Sequence, residues 1–103
     1  MLSINVSFNT RNATSGLKKS IDQAVRGIAT DLFKTIKRYT PVRSGRARKN
    51  WRMTKKSKSN YEVRNKVPYI ERLDAGYSKQ APKGMTRPSL REVLSKNRSR
   101  RIR

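Results

Sequence analysis

The chain has 103 residues, 33% of them hydrophobic, enough for one domain with a thin core. Lysine and arginine number 27 against six acids, so the formal charge is +21, which predicts a polyanionic partner and strong self-repulsion at low salt. Cysteine and histidine are both absent, which excludes disulfides, thiol catalysis and thiolate or imidazole metal sites, and removes the commonest general base.

In chain order, Leu2, Ile4, Val6 and Phe8 alternate with Ser3, Asn5 and Ser7, a period of two that predicts a half-buried strand. That opening stretch has neither the basic flank nor the long apolar run of a signal peptide, and no run approaches the roughly 20 residues of a membrane span, so cytosolic synthesis and no membrane partner are expected. Thr14 or Ser15 is suited to cap a helix beginning near Gly16. Leu17, Ile21, Val25, Ile28, Leu32 and Ile36, widened by Ala24, Ala29 and Tyr39, keep a 3.6 period, and Thr40 before Pro41 predicts the helix's end near Tyr39. From 42 to 59 the chain carries Arg43, Arg46, Arg48, Lys49, Arg52, Lys55, Lys56 and Lys58 with no acid.

Gly45 predicts a loop, after which Trp51 and Met53 alternate with Arg52 and Thr54 as a basic strand. A turn over 56–60 then leads to a returning strand with Tyr61, Val63, Asn65 and Val67 on one face, completing a hairpin. Pro68 opens a short helix with Ile70 and Leu73 inward, ending at Gly76, where a left-handed cap is easy. Residues 77–88 hold two prolines, Gly84 and no periodicity, which predicts an extended loop whose length suits binding. Pro88 and Ser89 start a last helix with Leu90, Val93 and Leu94 on one face, followed by a basic tail. The expected fold is α+β: one long amphipathic helix on a small antiparallel sheet, a short terminal helix, a single domain over 1–97 and a basic tail over 98–103.

Catalytic chemistry has little to draw on. Glu71 and Asp74, spaced i and i+3, share a helix face suited to Mg²⁺, but Arg72 interleaves them and no third ligand is near, so a solvated or ion-pairing role is preferred over a nuclease. No enzyme activity, cofactor or metal is expected. Trp51 is expected in the core, while Tyr69 and Tyr77 are suited either to stacking or to burial with a tethered hydroxyl. Gly76, Pro82 and Gly84 fit backbone geometry better than a phosphate cradle, since their spacing matches neither a P-loop nor a dinucleotide fingerprint.

Two runs carry a resemblance: TPVRSGRARKNW over 40–51 and VPYIERLDAGYSKQAPKGM over 67–85. In order and spacing they resemble the phage neck, head-tail connector and tail-completion proteins of the lambdoid siphophage gene-ten type, a likeness spanning roughly residues 15–94. Its positions include Pro41, Gly45, Arg46, Trp51, Pro68, Tyr69, Leu73, Gly76, Gln80, Ala81, Pro82, Gly84 and Met85; Arg43 and Asp74 depart from the pattern. The resemblance implies a structural virion protein at the head-tail junction, made in the host cytoplasm. It implies a homo-oligomeric ring of roughly six or twelve copies, touching portal, adaptor or tail proteins of the same virion.

On this reading Tyr77, Gln80, Ala81, Pro82, Gly84 and Met85 form a loop that clasps the next subunit, with Pro41, Gly45, Arg46, Trp51, Tyr69 and Gly76 as structural motif residues. Arg46, Arg48, Lys49, Arg52, Lys55 and Lys56, with Arg98, Arg100, Arg101 and Arg103 of the tail, are the expected contacts to packaged double-stranded DNA or an acidic neighbour, the alternative for the first group being a solvated face. The rival reading is a free, sequence-nonspecific nucleic-acid-binding protein of ribosomal or nucleoid type, which composition alone favours.

Overall fold

Strand β1, Leu2–Ser7, turns Leu2, Ile4 and Val6 toward the core and Ser3, Asn5 and Ser7 to solvent, as its alternation predicts. The computed structural model describes residues 1–41, 45–76 and 81–101, with every side chain of these except those of 98–101. Phe8 departs from expectation at 59% exposed. The register ends at Ser7 opposite Asn60, so Phe8 has run past the sheet and has no neighbouring strand to cover it.

Helix α1, Ser15–Tyr39, starts where Thr14 Oγ1 accepts from the Leu17 N–H at 3.2 Å. It stops because Thr40, held at ψ 130° ahead of Pro41, has left the helical region. Val25, Ala29, Leu32 and Ile36 are buried and Ile21 and Ile28 half-buried, the stripe expected from the 3.6 period. That stripe is shorter and narrower than predicted: Leu17, a turn before the packed face begins, is 52% exposed, and Ala24 faces solvent.

Instead of a plain loop, Gly45 adopts φ 72° as the cap of a one-turn helix α2, Arg46–Lys49, which buries Ala47. Strands β2, Trp51–Ser57, and β3, Asn60–Asn65, make the predicted hairpin, with Trp51 opposite Asn65, Met53 opposite Val63 and a register shift between Lys55 and Ser57. The three antiparallel strands lie in the order β1-β3-β2, so β3 is central and, among the described residues, both others are edges. α1 covers one face of this sheet. The other carries Ser3, Asn5, Arg52, Thr54, Glu62 and Arg64.

Helix α3, Ile70–Asp74, follows Pro68 and leads to Gly76 in the left-handed region at φ 90°. The expected extended loop of 77–88 is corrected from Ala81 onward: Ala81, Gly84 and Met85 are buried, and helix α4, Thr86–Arg101, begins two residues before Pro88. Pro88 is tolerated there because the first helical turn has no use for its missing N–H. α4 packs beside α1 through Ser89 and Val93, with Leu90 half-buried. Leu94, expected inward, is 58% exposed, and the helix continues into the expected tail as far as Arg101.

One cluster, Leu32, Ile36, Ala47, Trp51, Val63, Val67, Ile70, Met85 and Val93, joins every element but β1, whose half-buried Leu2, Ile4 and Val6 pack against it, and a smaller one of Val25, Ala29 and Tyr61 lies under the hairpin. Each large side chain among them contributes about 1.5–3 kcal/mol on burial. The molecule is α+β, a slab of 46 × 28 × 17 Å.

Candidate functional site

The motif residues converge at the α1 C-terminus and the α3–α4 junction. Trp51 is buried and its indole Nε1–H donates to Thr40 Oγ1 at 2.8 Å, while that hydroxyl donates to the Ile36 carbonyl. Arg46 lies over the half-buried Tyr69 ring at 5.9 Å from its centre. Asn65, fully buried, donates to the Ala47 carbonyl at 2.8 Å and accepts from the Val67 N–H at 2.9 Å, tying β3 to α2.

Two glycines and one aspartate join α3 to α4. A Cβ on Gly76 would sit 2.4 Å from the Pro82 carbonyl oxygen, and one on Gly84 2.2 Å from that of Asp74. Both positions also have positive φ, so only glycine allows the two backbone segments to approach this closely. Asp74 Oδ1 accepts from the Met85 N–H at 3.0 Å and the Thr86 N–H at 2.8 Å. It satisfies the first free donor of α4, the Thr86 N–H, and the N–H just before it from another element, the work a residue within the helix's own cap usually does.

This geometry takes three of the six residues out of the expected subunit clasp. Ala81, Gly84 and Met85 are spent inside their own chain, because Asp74 and Gly76 draw the segment onto the core; Pro82 is exposed, and Tyr77 and Gln80 lie outside the described residues.

The expected cationic contacts divide in the same way. Arg48 Nη2 donates to the Thr40 carbonyl at 3.0 Å and caps α1, whose last carbonyls lack helical donors. Arg52 Nη1 donates to the Lys49 and Trp51 carbonyls at 2.7 and 2.9 Å. Lys55 meets Asp22 at 3.3 Å and Lys56 meets Glu62 at 3.8 Å. Arg46 and Lys49 are exposed. The side chains of Arg98, Arg100 and Arg101, and Arg43 and Arg103 altogether, lie outside the described residues.

Asp22 belongs to no sequence motif, yet it organises the hairpin tip. It sits on α1 and accepts from the Ser59 N–H at 2.8 Å and the Tyr61 hydroxyl at 3.2 Å. The Ser59 N–H, with Lys55 and Tyr61 assisting, holds its carboxyl below the ordinary range. On α4, Glu92 pairs with Arg38 and accepts from the Tyr39 hydroxyl at 3.0 Å, a bond that raises the Tyr39 pKa.

Sequence reasoning passed over a third basic group. Lys83, Arg87 and Arg91 line an open cavity of about 670 Å³ between α3 and α4, beside Glu71, Asp74 and Pro82. Its acids are already engaged, Glu71 by the Met1 amino group at 2.9 Å and Asp74 by backbone N–H groups. The i, i+4 spacing of Arg87 and Arg91 is visible in sequence; its significance depends on where the helix starts.

Among the described residues no group of three or more Asp or Glu is placed to hold a metal ion, and no helix is long and apolar enough to cross a membrane. Comparison with known family models, curated proteins and solved structures finds no match.

Proposed function

We propose that this chain is a structural, non-catalytic subunit of a phage particle, forming a ring at the neck and joining portal or connector to tail. The observation that carries the reading is the amount of association surface left uncovered by so small a fold. Among the described residues β1 and β2 are each paired on one side only, and Phe8, Leu17 and Leu94 are each more than half exposed. Edge strands of this kind pair readily with another chain unless charge, proline or a bulge blunts them. β2 has its lysines and a register shift; β1, reading LSINVS, has no such protection.

The residues that carry the phage resemblance add support, since Trp51, Gly76, Gly84 and Met85 are the ones that bind the elements to each other. A free nucleic-acid binder draws on the same cations but has no use for uncovered apolar side chains on a chain of charge +21. Negative-stain microscopy of the purified protein, and of virions carrying a tagged copy, tests the proposal. Rings in solution and label at the neck are expected. A protein that stays monomeric at high concentration, with virions unlabelled at the neck, overturns it.

A further inference from the structure

The cations of this chain fall into two classes that composition does not distinguish. Those of the hairpin strand are compensated internally: Lys55 by Asp22, Lys56 by Glu62, and Arg52 by two carbonyls. Lys83, Arg87 and Arg91 are exposed, and among the described residues none has an acid or carbonyl partner. Their three charges exceed those of Glu71 and Asp74 in the cavity wall, and Glu71 is already paired with the Met1 amino group, so the net charge there is positive and open to solvent.

The placement of these residues works against the helix that carries them. Arg87 stands in the first turn of α4, where the macrodipole favours an acid and where α4 has none. Arg91 follows one turn on, about 6 Å along the axis, a like-charge pair that disfavours the helix. The same helix face continues one turn on to Leu94, which is exposed. A pair of arginines that costs local stability at the start of a helix is explained by a partner that offsets both.

We infer that α4 is the surface on which this chain meets duplex DNA, through Arg87 and Arg91 with Lys83 beside them, and that strand β2 is not. The inference rests on the proposed place at the neck, where packaged DNA passes. A duplex presents about one negative charge per 1.7 Å of axis, so the roughly 24 Å length of α4 lies along more phosphates than it has cations. Each guanidinium therefore finds an oxygen pair without a fitted counterpart, and its planar fork suits phosphate. An acidic protein would instead have to supply carboxylates at a few fixed positions.

The test compares two double variants of the full chain with equal loss of charge, +21 to +19 in each case: Arg87→Gln with Arg91→Gln, and Lys55→Gln with Lys56→Gln. The probe is a short random-sequence duplex, and the readout is the slope of log affinity against log salt. The α4 variant is expected to lower the slope by about 1.8, at about 0.9 for each phosphate left without its cation, and the hairpin variant to leave it nearly unchanged. Circular dichroism confirms that both fold, and Arg87→Lys with Arg91→Lys is expected to restore most of the slope. Equal losses from both variants reduce the effect to net charge and overturn the inference, as does a larger loss from the hairpin variant or no binding by the parent protein. Rings that assemble while the α4 variant leaves the slope unchanged count against this inference alone; a changed slope without rings counts against the neck reading alone.

Discussion

Thr40 shows how much one side chain carries in a core this thin. Its hydroxyl donates to the Ile36 carbonyl at 2.6 Å and accepts the Trp51 indole N–H at 2.8 Å, with both partners fully enclosed. Thr40→Val keeps the volume and removes both bonds, leaving a buried indole donor unsatisfied, so stability is expected to fall by about 1–3 kcal/mol. Denaturant titration checks this as a lower midpoint at unchanged slope, and Thr40→Ser is expected to recover most of the loss. Trp51 was legible as a core residue because a lone tryptophan facing an amphipathic helix has little else to do. Asp74 and Met85 were not. Asp74 works through backbone N–H groups 11 and 12 residues away, and Met85 lies in a stretch without periodicity, so neither is encoded in a local pattern.

At the scale of elements, Asp22 makes the α1–hairpin contact sensitive to acid. Its carboxyl titrates below the ordinary value of 3.8 because the Ser59 N–H, Lys55 and Tyr61 favour the charged form. A depressed folded-state pKa contributes stability that is fully present above the unfolded value and disappears as pH falls through the folded one. The contribution is therefore expected to be intact at about pH 5 and to fade below pH 3.8. Urea midpoints measured from about pH 2 to 6 should show that loss in the parent protein and a flatter profile in Asp22→Asn; parallel profiles would assign the acid sensitivity to other groups. The long helix and the hairpin were legible because periods of 3.6 and 2 persist over many residues. α2 is too short to show a period, and the start of α4 was hidden because its cap comes from α3.

Across the whole molecule, charge and core oppose each other. Asp22, Glu62, Glu71 and Glu92 form ion pairs within the chain, but six acids cannot compensate 27 cations. Repulsion among the rest weakens the compact state, and salt screens it: the Debye length falls from about 10 Å at 0.1 M to about 3 Å at 1 M. Raising sodium chloride over that range is expected to raise the melting temperature, by roughly 4–8 °C for each kcal/mol of repulsion removed. A melting temperature that falls with salt would show that the few ion pairs outweigh the excess charge. Composition made the excess visible. What it could not assign was which cations are spent, because an ion pair such as Lys55 with Asp22 joins residues far apart in the chain.

The strand order also sets a timetable. β2 and β3 are joined by a tight turn, whereas β1 pairs with β3 with Leu2 opposite Asn65, so the chain between them must be gathered before the ladder can close. During synthesis at about 5–20 residues per second, β1 waits roughly three to twelve seconds for its partner, with Leu2, Ile4 and Val6 uncovered. The hairpin and α1 are therefore expected to form the folding nucleus, with β1 joining after the barrier is crossed. Stopped-flow measurements are expected to show Ile4→Ala acting almost wholly on the unfolding rate and Val63→Ala, beneath α1, slowing folding; the reverse pattern would place β1 in the nucleus. The cell that makes this chain therefore receives it with a sticky, uncharged strand exposed for longer than any other element, and that interval is when premature pairing between nascent copies competes with the native fold.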